Sequence, residues 1–177
     1  HPAASRLVCG ACPPPPMKIT DKTSALNWAT ARCAQRECCR YDLERKLRET
    51  PLSPADVEAV LDALEDEHFI DAGRYARAFA HDKLEYDGWG RLKISQALRQ
   101  KKFSAHEVET ALAEVIEEAH YLEILQRVLA SKIRTLSFDA DDRREALKAT
   151  QKLVRFAASR GFEPHLIFDT LHQLQSL

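Results

Sequence analysis

An internal repeat constrains this chain more than any other feature. Residues 40–61 lie over residues 91–112 at a constant offset with no gap. Leu43 falls on Ile94, Leu47 on Leu98, Leu52 on Phe103, Ser53 on Ser104, Val57 on Val108 and Leu61 on Leu112. A third copy follows at a slightly longer spacing. There Leu153, Phe162, His165, Ile167 and Leu171 take the places of Ile94, Phe103, His106, Val108 and Leu112. A unit of this size cannot bury its apolar face alone, so repeated units stack, and function belongs on an extended surface rather than in one cleft.

The units read as helical. Five of the eight prolines lie in residues 1–16, and the remainder has few helix breakers. Ser24 is expected to cap a first helix that carries Leu26, Ala29, Ala31 and Cys33 and runs through Arg36. Leu43 and Leu47 share one face of a second helix, residues 42–48, which ends before Pro51. Ser53-Pro54-Ala55-Asp56 opens a third, with Val57, Val60, Leu61 and Leu64 as its buried stripe. The second unit has the same grammar: Asp71 as cap, an Asp87-Gly88-Trp89-Gly90 turn, a face of Ile94, Ala97 and Leu98, and a capping box at Ser104 and Glu107. A third unit starts near Tyr121; its middle helix runs over 142–159 until Gly161 stops it, and Pro164 opens the last helix. No segment shows period-two alternation between turn residues. The expected fold is therefore all-α: three tandem three-helix, helix-turn-helix-like repeats over 24–70, 71–118 and 119–177, forming an elongated, curved array. Residues 1–16, with four consecutive prolines directly before Met17, read as a foreign leader, and 17–23 as a linker.

Net charge is −1, so overall charge points neither toward nor away from nucleic acid, and local patches decide. Each middle helix, or its entrance, is basic. Arg32, Arg36 and Arg40 step by four in the first unit. Arg91, Lys93, Arg99, Lys101 and Lys102 occur in the second with no acid between Gly90 and Ala105. Arg144, Lys148, Lys152 and Arg155 share one helix face in the third. A solvated helix face is often basic without purpose. Three such stripes at equivalent places in stacked units instead suit a polyanion or an acidic protein groove.

Chemistry-bearing constellations are otherwise missing from the sequence. No nucleophile sits in a recognisable elbow beside a base, and no glycine-rich loop is present to cradle phosphate. No catalytic, cofactor or metal residue is expected, and no cofactor. His106 and His165 are repeat-equivalent rather than a metal pair. Cys9 and Cys12 have zinc-knuckle spacing, but no second pair follows. Cys33, Cys38 and Cys39 are an odd set of thiols without a secretory signal, which points to a reducing cytoplasm; Cys33 reads as a small apolar packing residue. No apolar run approaches the roughly 18 residues that span a bilayer. Trp89 and Tyr86 are the aromatics expected at the surface; Phe79, Phe103, Phe156 and Phe162 are read as packing.

Several segments resemble the RecX family, bacterial modulators of the RecA recombinase. RECCRYDLERKL at 36–47 looks like its first-repeat motif, and Phe69-Ile70-Asp71 with Arg74 and Tyr75 like its "LDD-x-RF" junction. GWGRLKISQALRQKKFS at 88–104 is similar to its central "GYGPxRIxxELxxKGIS" signature, and Val154-Arg155-Phe156, Arg160-Gly161-Phe162 and Ile167 to its C-terminal unit. The resemblance covers nearly all of 24–174. It implies a cytoplasmic, monomeric, non-enzymatic protein that lies in the groove of the RecA–DNA filament and suppresses ATPase, strand exchange and coprotease activity. Its partners would be RecA and single- or double-stranded DNA held through phosphates, with no membrane, and the basic stripes would be the contacts. Two other readings remain open on the residues alone: a direct DNA-binding protein of helix-turn-helix-like repeats, and a helical scaffold for another partner.

The chain departs from the family pattern in places. Cys39 stands where the family has serine as the cap of the second helix, which weakens that start by about 1 kcal/mol. Lys102 stands where the family has glycine. If that position is left-handed, Lys102 is strained by about 1 kcal/mol. Arg91 replaces the proline after the second glycine of the central signature.

Overall fold

The computed structural model describes residues 18–175, and the expectation of a foreign leader at 1–16 lies outside them. The described chain forms α1 (Lys22–Gln35), α2 (Arg40–Arg48), α3 (Pro54–Asp66), α4 (Ala72–Glu85), α5 (Arg91–Gln100), α6 (Ala105–Val115), α7 (Glu118–Ile133), α8 (Arg143–Ser159) and α9 (Pro164–Gln175), with no strand among the described residues. Packing groups them in threes. α1 and α2 lie on α3; α4, α5 and α6 pack together; α7, α8 and α9 do the same; and α4 touches α7.

Caps explain most of the boundaries. Ser53 accepts from the Asp56 N–H with Pro54 at the first helical position, and Ser104 and Glu107 form a reciprocal capping box. Asp71 caps α4 and Asp142 caps α8. Two expectations shift. α1 is capped by Asp21, inside the segment read as a linker, and Ser24 is instead the third helical residue that completes the box. The buried face of α1 is Ala25, Trp28, Ala29 and Arg32 rather than the line through Leu26, Ala31 and Cys33. An aspartate earlier in the chain outcompetes the serine, and the buried residues follow the i, i+3, i+4, i+7 spacing of a single face laid on α3.

The repeat holds at the level of environment. Leu43 and Ile94, Leu47 and Leu98, and Val57 and Val108 are buried pairwise, and Leu153, Phe162, Ile167 and Leu171 repeat the set in α8 and α9. The apolar core is not divided into three, however. One cluster, from Ile19 to Ile70, belongs to the first unit. The other runs without interruption through the second and third units, from Tyr75 to Leu171, and takes in Cys39 from the first. Those two units are one packed body, joined by Tyr121, Phe162, Ile124 and Leu125 beneath α4 and α5.

Glycine makes that junction possible. The Gly90 N–H donates to the Arg160 carbonyl (2.8 Å) and the Leu92 N–H to the Gly161 carbonyl (3.0 Å), so the start of α5 lies directly on the turn after α8. A β-carbon on Gly90 would sit 2.4 Å from the Gly161 oxygen, and one on Gly161 would sit 2.4 Å from the Lys93 backbone nitrogen. Gly161 also has φ +95°. Gly90 is required by the Gly161 backbone, and Gly161 by the Lys93 backbone one turn into α5 and by its own positive φ.

Lys102 closes α5 as Gly161 closes α8. Its φ is +69°, and the Phe103 N–H reaches back to the Leu98 carbonyl (3.2 Å) as the Phe162 N–H does to Ala157 (3.2 Å). Lys102 is exposed and makes no ion pair among the described residues. Lys102→Gly is expected to raise stability by about 0.5–1 kcal/mol, the left-handed strain less the added freedom of the unfolded chain. Urea unfolding checks this; a lower midpoint would mean that the lysine side chain packs against its surroundings.

Candidate polyanion interface

The three basic stripes have different fates. In the first unit the step of four is not a helix face, because α1 ends at Gln35 and Arg36 is its extended cap. Arg32 is buried, 8% exposed, with its guanidinium 5.6 Å from the Trp28 ring centroid. Arg40 faces three carboxylates of α3: Glu58 (2.5 Å), Asp62 (3.0 Å) and Glu65 (3.1 Å). The expected first-unit stripe is therefore not one solvent-facing row: Arg32 is buried, Arg36 lies past the helix end, and Arg40 is neutralised by α3. The acids of α3, spaced three and four apart, outnumber the single arginine they surround.

In the second unit two of the five stripe cations, Arg91 and Lys101, join units together. Arg91 reaches Glu163 (2.7 Å) at the mouth of α9 and Glu118 (2.5 Å) at the start of α7. Its guanidinium lies 4.1 Å from the Tyr121 ring centroid. The Arg91 N–H donates to the Tyr121 hydroxyl (3.0 Å), which in turn donates to Glu163 (2.5 Å). Burial and the Glu163 hydrogen bond push the Tyr121 hydroxyl above its ordinary pKa, so it stays a donor. Lys101 pairs with Asp42 of α2 (2.6 Å), tying the first unit to the second, as Arg74 does with Glu37 (2.6 Å). Arg99 donates to the Phe103 carbonyl (3.0 Å). Lys93 and Lys83 lie 4.5 and 4.6 Å from the Trp89 ring centroid, while Phe79 meets that ring edge-on. Trp89 is thus partly buried between cations rather than open for stacking; Tyr86 is exposed as expected.

In the third unit the stripe faces solvent. Arg144, Lys148, Lys152 and Arg155 are all exposed on α8, opposite its buried Ala149, Leu153 and Ala157, and none takes part in an ion pair among the described residues. Sequence reasoning missed cations on the neighbouring helix: Lys132 of α7 borders the same face, 4.9 Å from the Phe156 ring centroid. Attention to middle helices alone hid it.

The thiols are held at the first junction. Cys39 caps α2 without a side-chain hydrogen bond and is buried in the core shared by the second and third units. Burial, followed by the nearby Asp42 carboxylate, pushes its pKa up to about 12. Cys38 is buried in the first-unit core, and Cys33 packs partly against that core, as expected of a small apolar side chain. Among the described residues no group of three or more His, Cys, Asp or Glu side chains is placed to hold a metal, and no helix is long and apolar enough to cross a membrane.

One junction contact is pH-dependent. His120 of α7 bonds through Nε2 to Glu85 of α4 and through Nδ1 approaches Glu123 (3.6 Å). The Glu85 hydrogen bond, then its charge, raise the His120 pKa. A raised folded-state pKa gives stability that is complete below the unfolded value near 6.5 and is lost as pH rises through the folded value. Urea unfolding across pH 5.5–9 is expected to show that decline in the parent and a flatter profile in His120→Gln. Parallel profiles would remove His120 from the pH response.

Comparison with known proteins agrees with this architecture. Residues 73–112, which lie within α4–α6, match the family description "RecX, second three-helix domain". Over 132 residues the chain is 36% identical to the regulatory protein RecX of Halorhodospira halophila, covering 73% of this chain and 74% of that protein. The chain belongs to the RecX family. The regulatory protein RecX of Chlorobium phaeobacteroides is 28% identical over 158 residues, covering 89% of this chain and 98% of its own. The crystal structure of RecX from Lactobacillus salivarius superposes with a TM-score of 0.74 at 18% identity, covering 89% of this chain and 98% of that one. A crystal structure of a regulatory protein RecX gives 0.70 at 20% identity, over 85% and 74%. These RecX structures share the all-helical fold, and two of the three expected departures from the family pattern, Cys39 and Lys102, fall at an uncapped helix start and a left-handed helix end.

Proposed function

We propose that this RecX-family chain binds the RecA–DNA filament and restrains the recombinase, lowering its ATPase, strand exchange and coprotease activities. It does so by binding, as a cytoplasmic monomer without catalysis of its own. The observation that carries the reading is the α8 face, where Arg144, Lys148, Lys152 and Arg155 stand exposed with no carboxylate partner among the described residues. A row of unneutralised cations on a series of packed units suits a polymer of phosphates and repeated protein subunits. Several linked contacts raise avidity well beyond any one of them. The contacts are to phosphates and carry no base readout, since α3 and α6 open with Asp56 and Glu107, poor groups for reading base edges.

The test titrates the protein into RecA on single-stranded DNA at two salt concentrations. The ATPase is expected to fall, and to fall less at the higher salt, because phosphate contacts release counterions. Lys148→Glu/Lys152→Glu/Arg155→Glu is expected to stay folded, since surface changes typically shift stability by about 0.5 kcal/mol or less, and to need at least tenfold more protein for the same inhibition. Unchanged ATPase at saturating parent protein would reject the regulator reading. Inhibition indifferent to salt and to the triple substitution would keep the regulator and remove the α8 face from its mechanism.

A further inference from the structure

The fold sorts the three thiols at the turn between α1 and α2. Cys39 belongs to the core of the second and third units, where its side chain meets the Tyr75 hydroxyl and the Asp42 carboxylate. Cys33 and Cys38 belong to the first-unit core instead, Cys38 buried and Cys33 half-buried at its edge. Their side chains are hydrogen-bonded to each other. The Cys38 sulfur also lies 3.7 Å from the Arg36 carbonyl oxygen, so both contacts make Cys38 the donor and leave Cys33 the acceptor. The break after α1 creates this contact. In a continuous helix, residues five apart point about 140° away from each other round the axis. Here α1 ends at Gln35, Arg36 is extended, and the non-helical link 36–39 returns Cys38 to the last turn. The hydrogen bond from Cys38 holds the Cys33 thiol below its ordinary pKa, helped by the charges of Arg32 and Arg74 and opposed by burial and Glu37. The same hydrogen bond, then burial, push Cys38 up. One sulfur is thus a nucleophile near the surface and the other a buried partner in contact with it.

We propose that Cys33 and Cys38 are a peroxide-sensitive dithiol, a modification site that closes to an intramolecular disulfide and is reopened by thiol reductants. The Cys33 thiolate attacks one oxygen of hydrogen peroxide. The O–O bond breaks, Cys33 becomes a sulfenic acid, and the departing hydroxide takes up the proton that Cys33 released, as water. The Cys38 sulfur then attacks the Cys33 sulfur. The S–O bond breaks, and the leaving hydroxide takes the Cys38 proton as a second water. Two thiols lose two electrons and two protons, and one peroxide is reduced to two waters. A reducing thiol reverses the bond by exchange. Packing as small apolar side chains would account for each cysteine alone, but not for two sulfurs in contact with the more acidic one at the surface. The bond would form on a link that ties units together: Glu37 pairs with Arg74 of α4 (2.6 Å), and Cys39 enters the second core. The proposal is independent of the regulator reading and is tested without the recombinase.

The experiment treats the purified, reduced protein with hydrogen peroxide at neutral pH, blocks the remaining thiols with iodoacetamide and maps tryptic peptides by mass spectrometry. Cleavage after Arg32, Arg36 and Arg40 places Cys33 on the peptide 33–36 and Cys38 on 37–40, both apart from Cys9 and Cys12. The expected product is these two peptides joined by a disulfide that dithiothreitol removes. It should form at least about tenfold faster in the folded protein than in urea, where the thiolate of Cys33 loses its support. The link should persist in Cys39→Ser. In Cys38→Ser it should vanish, and a dimedone adduct should mark the sulfenic acid left on Cys33. Circular dichroism checks that each variant is folded. A folded parent whose two peptides stay fully alkylated would overturn the site. Equal rates in buffer and in urea would reduce the link to closeness in sequence and overturn it too. A link that survives in Cys38→Ser but is lost in Cys39→Ser would give the bond to Cys39 and end the proposal.

Discussion

Replacing Gly90 with alanine is expected to destabilise the protein by about 3 kcal/mol, chiefly in the second and third units. The backbone angles of Gly90, φ −83° and ψ 172°, suit any residue, so the cost is steric. The new methyl would stand 2.4 Å from the Gly161 oxygen and 2.5 Å from the Phe162 nitrogen. Both are backbone atoms and cannot turn aside. The start of α5 would have to lift from the α8–α9 turn, taking with it the 2.8 Å bond from Gly90 to Arg160 and the 3.0 Å bond from Leu92 to Gly161. Gly73 supplies the control. A methyl there would meet only the end of the Arg77 side chain, at 3.2 Å, and alanine favours a helix, so Gly73→Ala should be neutral or stabilising. Urea unfolding gives the magnitude, and amide exchange gives the location. Protection should fall in α4–α9 while the separate first-unit core keeps its own. A Gly90→Ala protein with the parent's midpoint would mean that the junction is plastic.

Replacing Arg91 with alanine is expected to cost about 2 kcal/mol, less than a fully buried ion pair would, because its side chain is 27% exposed. The loss leaves Glu163, 17% exposed, with only the Tyr121 hydroxyl as partner, and uncovers the Tyr121 ring. Arg91→Lys should recover part of the loss, since an ammonium cannot serve Glu118 and Glu163 as a fork. This result would separate two roles for a residue on a basic stripe. If Arg91→Ala unfolds at the parent's midpoint and loses binding to the RecA–DNA filament, its place is at the partner and not at the junction.

These expectations show how far residues alone reach. The helix order, the buried pairs Leu43 and Ile94 or Val57 and Val108, the starts at Ser53 and Ser104 and the stop at Gly161 follow from local rules. Periodicity places a side chain on the inner face, a cap satisfies N–H groups within one turn, and glycine permits a left-handed end. The error at Ser24 is also local: two capping residues three apart compete, and the earlier one wins when the later can reciprocate.

The basic residues are a different matter. Spacing along the chain put Arg40, Arg91, Lys101 and Lys152 in one class. Whether a cation is spent inside the molecule depends on which acid a distant element brings within reach, and that separation is 72 residues for Arg91 and Glu163 and 59 for Lys101 and Asp42. By itself the sequence determined an all-helical chain of three similar units and its membership in the RecX family, because helix signals and family motifs are contiguous. Only the tertiary structure decided that the second and third units share one core, that the start of α5 needs glycine against the α8–α9 turn, and that the α8 cations face solvent while Arg40, Arg91 and Lys101 are paired inside the molecule. Those are relations between surfaces that meet only after folding, and no local pattern encodes which charges will face each other.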